Sequence, residues 1–226
     1  GTGMKTQTEG VVREAARPDG AGRQPRIAFR SGLQQLLAFG SLIGLVIFFS
    51  LASSNFFQFS NIVGILLSTA VIGVLALGST FVIISGGIDL SVGTVMTLCS
   101  VMAGVFITFW GLPVPVGVAG GILVGALCGM VSGFAVARMK VPPFIATLAM
   151  MMIAKGLALV ISGAKPVYFT QTPVFSKISL GSVLGSVIPG FDIPNAVLVF
   201  FLMAILGGIL LSRTILGRYT FAIGSN

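Results

Sequence analysis

The chain has 226 residues, 55% of them hydrophobic and only 8% charged, with a mean hydropathy of +1.08, no histidine and a formal net charge of +8. A soluble domain carries about 25% charged residues, so this composition excludes a water-soluble globule and makes the long apolar runs membrane spans. The positive charge does not mark nucleic-acid binding. Lys5, Arg13, Arg17, Arg23, Arg26 and Arg30 precede the first apolar run and later charges flank apolar segments, which is an orientation signal toward membrane lipid rather than a binding stripe.

Residues 1–30 are polar, basic and rich in Gly, Pro and Ala, the composition of a flexible cytoplasmic tail. The first apolar run, 33–52, is long enough to span the bilayer, and longer than the apolar core of a signal peptide. "SSNFFQFSN" follows, with Phe56, Phe57 and Phe59 suited to an interface between lipid and water. A second run covers 62–85, then comes "GGIDLS", and a third run covers 92–109 and ends at "WGLPVP". The fourth, 116–137, stops at "RMKVPP"; the fifth, 144–162, gives way to a long segment over 163–194; the sixth is 195–212. Six spans and an all-α, polytopic helix bundle are therefore expected. With the N-terminus inside, Arg138, Lys140, Arg213 and Arg218 all fall inside, and Lys165 and Lys177 lie outside in a long loop, where the positive-inside rule is weak. The 163–194 segment, with Pro166, Pro173, Pro189 and Pro194, reads as short interfacial helices, with a re-entrant dip as the rival.

Within the fourth run Gly117, Gly121, Gly125, Gly129 and Gly133 recur at every fourth residue, which on a helix makes one slowly drifting smooth stripe. Such stripes let backbones approach closely in a membrane. We read packing inside a bundle rather than a dimerisation motif, and expect the fourth span to be central. Cys99 and Cys128 both lie in apolar runs and read as small packing residues.

The stretch "GGIDLS" places a carboxylate between two apolar runs; the one other acid downstream is Asp192. Gly86 and Gly87 can take backbone angles closed to other residues. Asp89 followed by Ser91 either caps the third span through its carboxylate or lines a polar pathway at a break between helices; the two are compatible. Lys155 falls near mid-depth of the fifth run, where its side chain could snorkel outward or face a polar cavity. There is no GxxxxGK[ST] phosphate loop in the sequence and no cluster suited to a metal or a hydrolytic site. No cofactor is expected, and any ATP hydrolysis is assigned to a separate chain.

Three stretches carry a resemblance. "TFVIISGGIDLSVGTVMTL" (80–98), "KVPPFIATLAMMMIAKGLALVISGAKPVYF" (140–169) and "LGRYTFAIGSN" (216–226) resemble, in order, the ribose/xylose-type permeases of bacterial ABC sugar importers. The resemblance covers the chain from about residue 33 onward. It implies a non-enzymatic permease of the bacterial inner membrane, pairing with a second permease copy, two ATPase subunits and a periplasmic sugar-binding protein. Residues 31–226 would be the N-terminal part of the transmembrane domain, holding about six of the family's around ten spans. The chain stops where the family continues, so the resemblance implies a C-terminally truncated permease. Gly217, Arg218, Gly224 and Asn226 would then begin the region that docks on the ATPase, with Gly217 and Gly224 allowing sharp turns. The competing function is an ion-coupled secondary transporter that uses Asp89; a channel or scaffold comes third.

Overall fold

The computed structural model describes residues 24–169 and 172–225, with side chains described from Leu36 onward, Pro173 excepted. Of the expected basic tail, residues 1–23 lie outside the described residues. Among the described residues every regular element is helical: α1 (Gln24–Ala52), α2 (Phe59–Ile84), α3 (Val92–Gly104, continued by a π-helical turn Val105–Phe109), α4 (Val114–Ala137), α5 (Pro143–Ser162), α6 (Pro173–Leu180), α7 (Val183–Val187), α8 (Asn195–Arg213) and α9 (Ile215–Gly224). The chain divides into a first unit ending at Gln58 and a second from Phe59 to Asn226.

In the first unit α1 contains the first apolar run, of which residues 36–52 are the described apolar part. Phe49 stacks on Phe56 with ring centroids 6.3 Å apart, and Phe56 meets Phe57 edge-on at 5.1 Å. The turn after α1 closes through Gln58, whose backbone N–H and side-chain amide both donate to Asn55.

The second unit holds five helices long and apolar enough to cross a membrane: α2, α3 with its π-helical turn, α4, α5 and α8. Each coincides with an expected run to within a few residues. Prolines set two of the starts: Pro143 is the first residue of α5, and α4 begins with Pro115 in its first turn. Proline is at home there because its missing N–H would have had no helical partner. Gly163, at φ +62, ends α5 with the left-handed residue that closes a helix.

The centre of this unit is α3, not α4 as the glycine stripe suggested. Leu98 of α3 is buried with Ala154 and Ala158 of α5, and Val95, Val101, Met102, Val124 and Cys128 pack around them. The stripe on α4 is divided. A Cβ at Gly117 would run into Ile107, one at Gly121 would lie 2.9 Å from the Cys99 carbonyl oxygen, and one at Gly125 would lie 3.0 Å from Cys99 Sγ. At Gly129 and Gly133 a Cβ meets nothing within 4 Å. So one end of α4 lies backbone-close against α3, while Ile122, Leu123, Met130, Val131 and Phe134 stay exposed. A stripe fixes which face approaches a neighbour but not how many neighbours the helix has.

The seam between α2 and α8 interlocks rings with glycines. Phe200 sits over Gly73, its ring 2.5 Å from where a Cβ would be, and Phe81 lies 3.7 Å from that position at Gly207. Among its described residues the 163–194 segment contains two short helices, α6 and α7, and no helix long enough to be a full span. Asn195 ties it to α8: its Oδ1 accepts from Val183 N–H at 2.8 Å, and its own N–H donates to the Gly181 carbonyl at 2.8 Å.

The divided stripe has a measurable consequence. Gly121→Ala puts a methyl against a carbonyl that cannot move cheaply and is expected to destabilise the fold by about 1–3 kcal/mol. Gly129→Ala fills open space on a helix and is expected to be neutral or stabilising by up to about 1 kcal/mol. Unfolding of the purified variants by titration with a denaturing detergent separates the two; equal effects would contradict the packing.

Candidate functional site at the GGIDLS turn

The turn is built from the way α2 ends. The Gly86 N–H donates to the Ile83 carbonyl at 3.0 Å and the Gly87 N–H to the Val82 carbonyl at 2.9 Å, while Gly86 sits at φ +79. This pair of bonds around a left-handed glycine is the Schellman closure of a helix. The two glycines thus have different tasks: Gly86 takes the left-handed angle, and Gly87 is close-packed. A Cβ on Gly87 would stand 3.1 Å from Val82 Cγ1 and 3.9 Å from Pro143 Cβ.

Asp89 holds the other half of the turn. Its Oδ1 accepts from the Ser91 backbone N–H at 2.8 Å and from the Ser91 hydroxyl at 2.7 Å. Ser91, only 4% exposed, is the residue before α3, and its carbonyl accepts the first helical bond from Val95 N–H at 2.9 Å. The Ser91 side chain does not cap α3, because its hydroxyl is turned back to Asp89. The carboxylate therefore fixes the residue that starts the helix rather than bonding into the helix itself. It is half-buried and spends one oxygen on two bonds inside its own loop.

Two further segments close on this loop. Thr147, buried in the second turn of α5, places its hydroxyl 2.9 Å from the Pro143 carbonyl and 3.2 Å from the Ile88 carbonyl. The single hydroxyl proton is shared between a helical acceptor and the loop. From another side, the last residue of α9, Gly224, lies against the end of α2: a Cβ there would overlap the Ile84 carbonyl oxygen and stand 3.4 Å from Ser85 Cα. The Gly224 Cα itself is 4.0 Å from the Cβ position of Gly86. The three stretches that carry the family resemblance, far apart in sequence, thus meet at one end of the bundle.

Of the residues singled out in the sequence, Gly86, Gly87, Asp89, Ser91 and Gly224 belong to this junction. Lys155 does not: it is exposed on α5, eight residues beyond Thr147 and so about 12 Å further along the axis. Gly117, Gly121 and Gly125 line the seam with α3. Gly217 is buried, yet it makes no turn. The chain changes direction at Thr214 (φ −106, ψ 163), and Gly217 instead lets α9 press on the backbone of Leu211. Arg218 is exposed, and Asn226 lies outside the described residues. The sequence reading missed Thr147, although it is the one threonine of α5 and stands four residues after the proline that opens the helix. It also missed the pressing of Gly224 on Ile84, for which no local pattern gives a signal.

Comparison with known proteins now adds the relationship. The family described as "Branched-chain amino acid transport system / permease component" matches residues 61–226. The ribose import permease protein of Haemophilus influenzae is 34% identical over 192 residues, covering 84% of this chain and 57% of that protein. The fructose import permease protein of Rhizobium meliloti is 36% identical over 196 residues, covering 84% and 51%, and the ribose import permease protein of Bacillus subtilis is 37% identical over 205 residues, covering 90% and 61%. The chain thus spans a little over half the length of these curated relatives. No solved structure matches. With the greater part of the sequence matched by one family and five helices fit to cross a bilayer, the chain is a multi-pass membrane protein and belongs to the permease-component family of the branched-chain amino acid transport type.

Proposed function

We propose that the protein is the permease subunit of an ATP-driven importer in the bacterial inner membrane and forms part of the pathway for a monosaccharide. The observation that carries this reading is the similarity to sugar import permeases along more than four fifths of the chain. Ribose, fructose, L-arabinose and galactofuranose appear in the names of such relatives, which supports a small sugar without selecting one. The subunit works with a second permease copy, two ATPase subunits that carry the hydrolysis, and a periplasmic sugar-binding protein. Residues 31–226 form the N-terminal part of the transmembrane domain, behind a basic cytoplasmic tail. The stretch from Arg213 onward is the start of the surface that docks on the ATPase.

The geometry of Asp89 weighs against the ion-coupled alternative. A coupling site needs several polar groups converging on an ion, whereas Asp89 is engaged by Ser91, two residues away, and anchors the start of α3. Asn at this position keeps a carbonyl acceptor of the same reach. A β-branched residue at Gly86 would be forced to φ +79, at a cost of about 1–3 kcal/mol.

In the full-length permease, Asp89→Asn is therefore expected to keep most sugar uptake and Gly86→Val to lose most of it, both measured in a permease-deleted strain at matched membrane abundance. Uptake that collapses in Asp89→Asn, survives in Gly86→Val and disappears with a protonophore at constant ATP would overturn the importer reading. The orientation has its own test. With the N-terminus inside, single cysteines at Lys165 and Lys177, introduced after Cys99 and Cys128 are replaced by alanine, are expected to react with an impermeant maleimide added to intact cells. Labelling of both only after lysis would reverse the orientation.

A further inference from the structure

α9 touches the rest of the bundle in an unusual way. Its larger side chains are exposed, Ile215, Leu216, Tyr219, Phe221 and Ile223 among them, and Gly217 is its one buried residue among those described. α9 meets its neighbours backbone against backbone at two glycines. Near its start, Gly217 lies on Leu211 at the end of α8; at its finish, Gly224 lies on the Ile84 carbonyl and Ser85 Cα at the end of α2. Side-chain contacts can rotate and absorb a displacement, but two backbones in van der Waals contact cannot interpenetrate. Ile84 is also the last residue of α2 before the left-handed turn at Gly86, and that turn is tied onward to α5 by Thr147 through Ile88 and to α3 by Asp89 through Ser91.

We propose that Gly224 is a positioning residue for coupled transport: by lacking a side chain it seats the end of α9 on the α2–α3 turn, so that movement of α9 is delivered to the starts of α3 and α5. This rests on the importer reading, in which the work is done on the permease from outside the bilayer, and it adds where that work enters the span bundle. Gly224→Ala would wedge α9 off its seat by the width of a methyl group while leaving α9's exposed surface as it is.

The test uses the full-length permease assembled with its ATPase and binding protein in proteoliposomes, reading sugar moved per ATP hydrolysed. Gly224→Ala is expected to hydrolyse ATP near the wild-type rate while sugar per ATP falls about tenfold. Gly208→Ala, where a Cβ meets nothing within 4 Å, is expected to match the wild type. A second readout follows the turn directly: a bimane fluorophore on Ile88→Cys, with Cys99 and Cys128 replaced by alanine, is expected to change emission on ATP addition and to lose that change when Gly224→Ala is added. Should Gly224→Ala fail to assemble, Thr147→Val, which keeps the side-chain shape but removes the bond to Ile88, is expected to show the same loss of sugar per ATP. Wild-type sugar per ATP in Gly224→Ala, an undiminished bimane response in it, or wild-type coupling in Thr147→Val when the first variant cannot be assembled would overturn the proposal. Absence of ATP-driven uptake by the wild-type assembly would instead overturn the importer reading.

Discussion

Inside hydrocarbon a backbone N–H or C=O without a partner costs several kcal/mol, and this single constraint organises the protein. It makes every described element a helix, and it demands that each place where a helix stops be closed by specific chemistry. At the end of α2 the closure is the glycine pair, with Gly86 in the left-handed region and two bonds returning to Val82 and Ile83. At the end of α5 Gly163 does the same, its N–H donating to Val160 and that of Ala164 to Leu159. Where α3 runs on past Gly104, the bonding shifts to the wider π-helical step, and Trp110 N–H donates to the Val105 carbonyl at 3.0 Å. The interruptions are therefore few and chemically expensive, and the one between α2 and α3 is bonded by Asp89, Ser91 and Thr147.

A second constraint follows from the same solvent. Lipid tails are as apolar as leucine, so burying more leucine brings these helices together only weakly; close fit has to do it. The chain supplies fit with glycine. Phe200 rides over Gly73, Ile107 over Gly117, and the Cys99 carbonyl approaches Gly121. In each case the absent side chain makes room for a ring, a branched chain or a carbonyl of the neighbouring helix. The bundle's true core is correspondingly thin, a few residues around Leu98, Ala154 and Ala158, and most large apolar side chains face outward.

These two constraints meet at the GGIDLS turn. Closing α2 requires a left-handed glycine, starting α3 calls for a side-chain oxygen to fix Ser91, and packing α9 against the same place requires a second glycine on the opposing backbone. Polar bonds and backbone contacts, rather than methyl-to-methyl packing, join the segments at this end of the bundle. Four helices, α2, α3, α5 and α9, meet at this one turn.

Sequence alone marked the apolar spans and the break between α2 and α3, because each depends on information local to it, but not helix α9, whose glycines read as turns. Apolar runs long enough to cross a bilayer mark α2, α3, α4, α5 and α8, prolines mark the starts of α4 and α5, and "GGIDLS" marks the break between α2 and α3. The involvement of Asp89 and Ser91 in that break was legible for the same reason, since their bonds span two residues. What the tertiary structure decided is everything that depends on which helix lies beside which. A glycine every fourth residue announces a smooth face on α4, but three of the five glycines meet α3 and two meet nothing, because the neighbour covers only part of the helix. Gly217 and Gly224 look like turn residues in one dimension and act as backbone seats in three. Thr147 is an ordinary helical threonine until the fold brings the Ile88 carbonyl, 59 residues away in sequence, to within 3.2 Å of its hydroxyl. Periodicity and end signals are properties of a segment, whereas the space beside a glycine belongs to its neighbour, and only the folded chain says who that neighbour is.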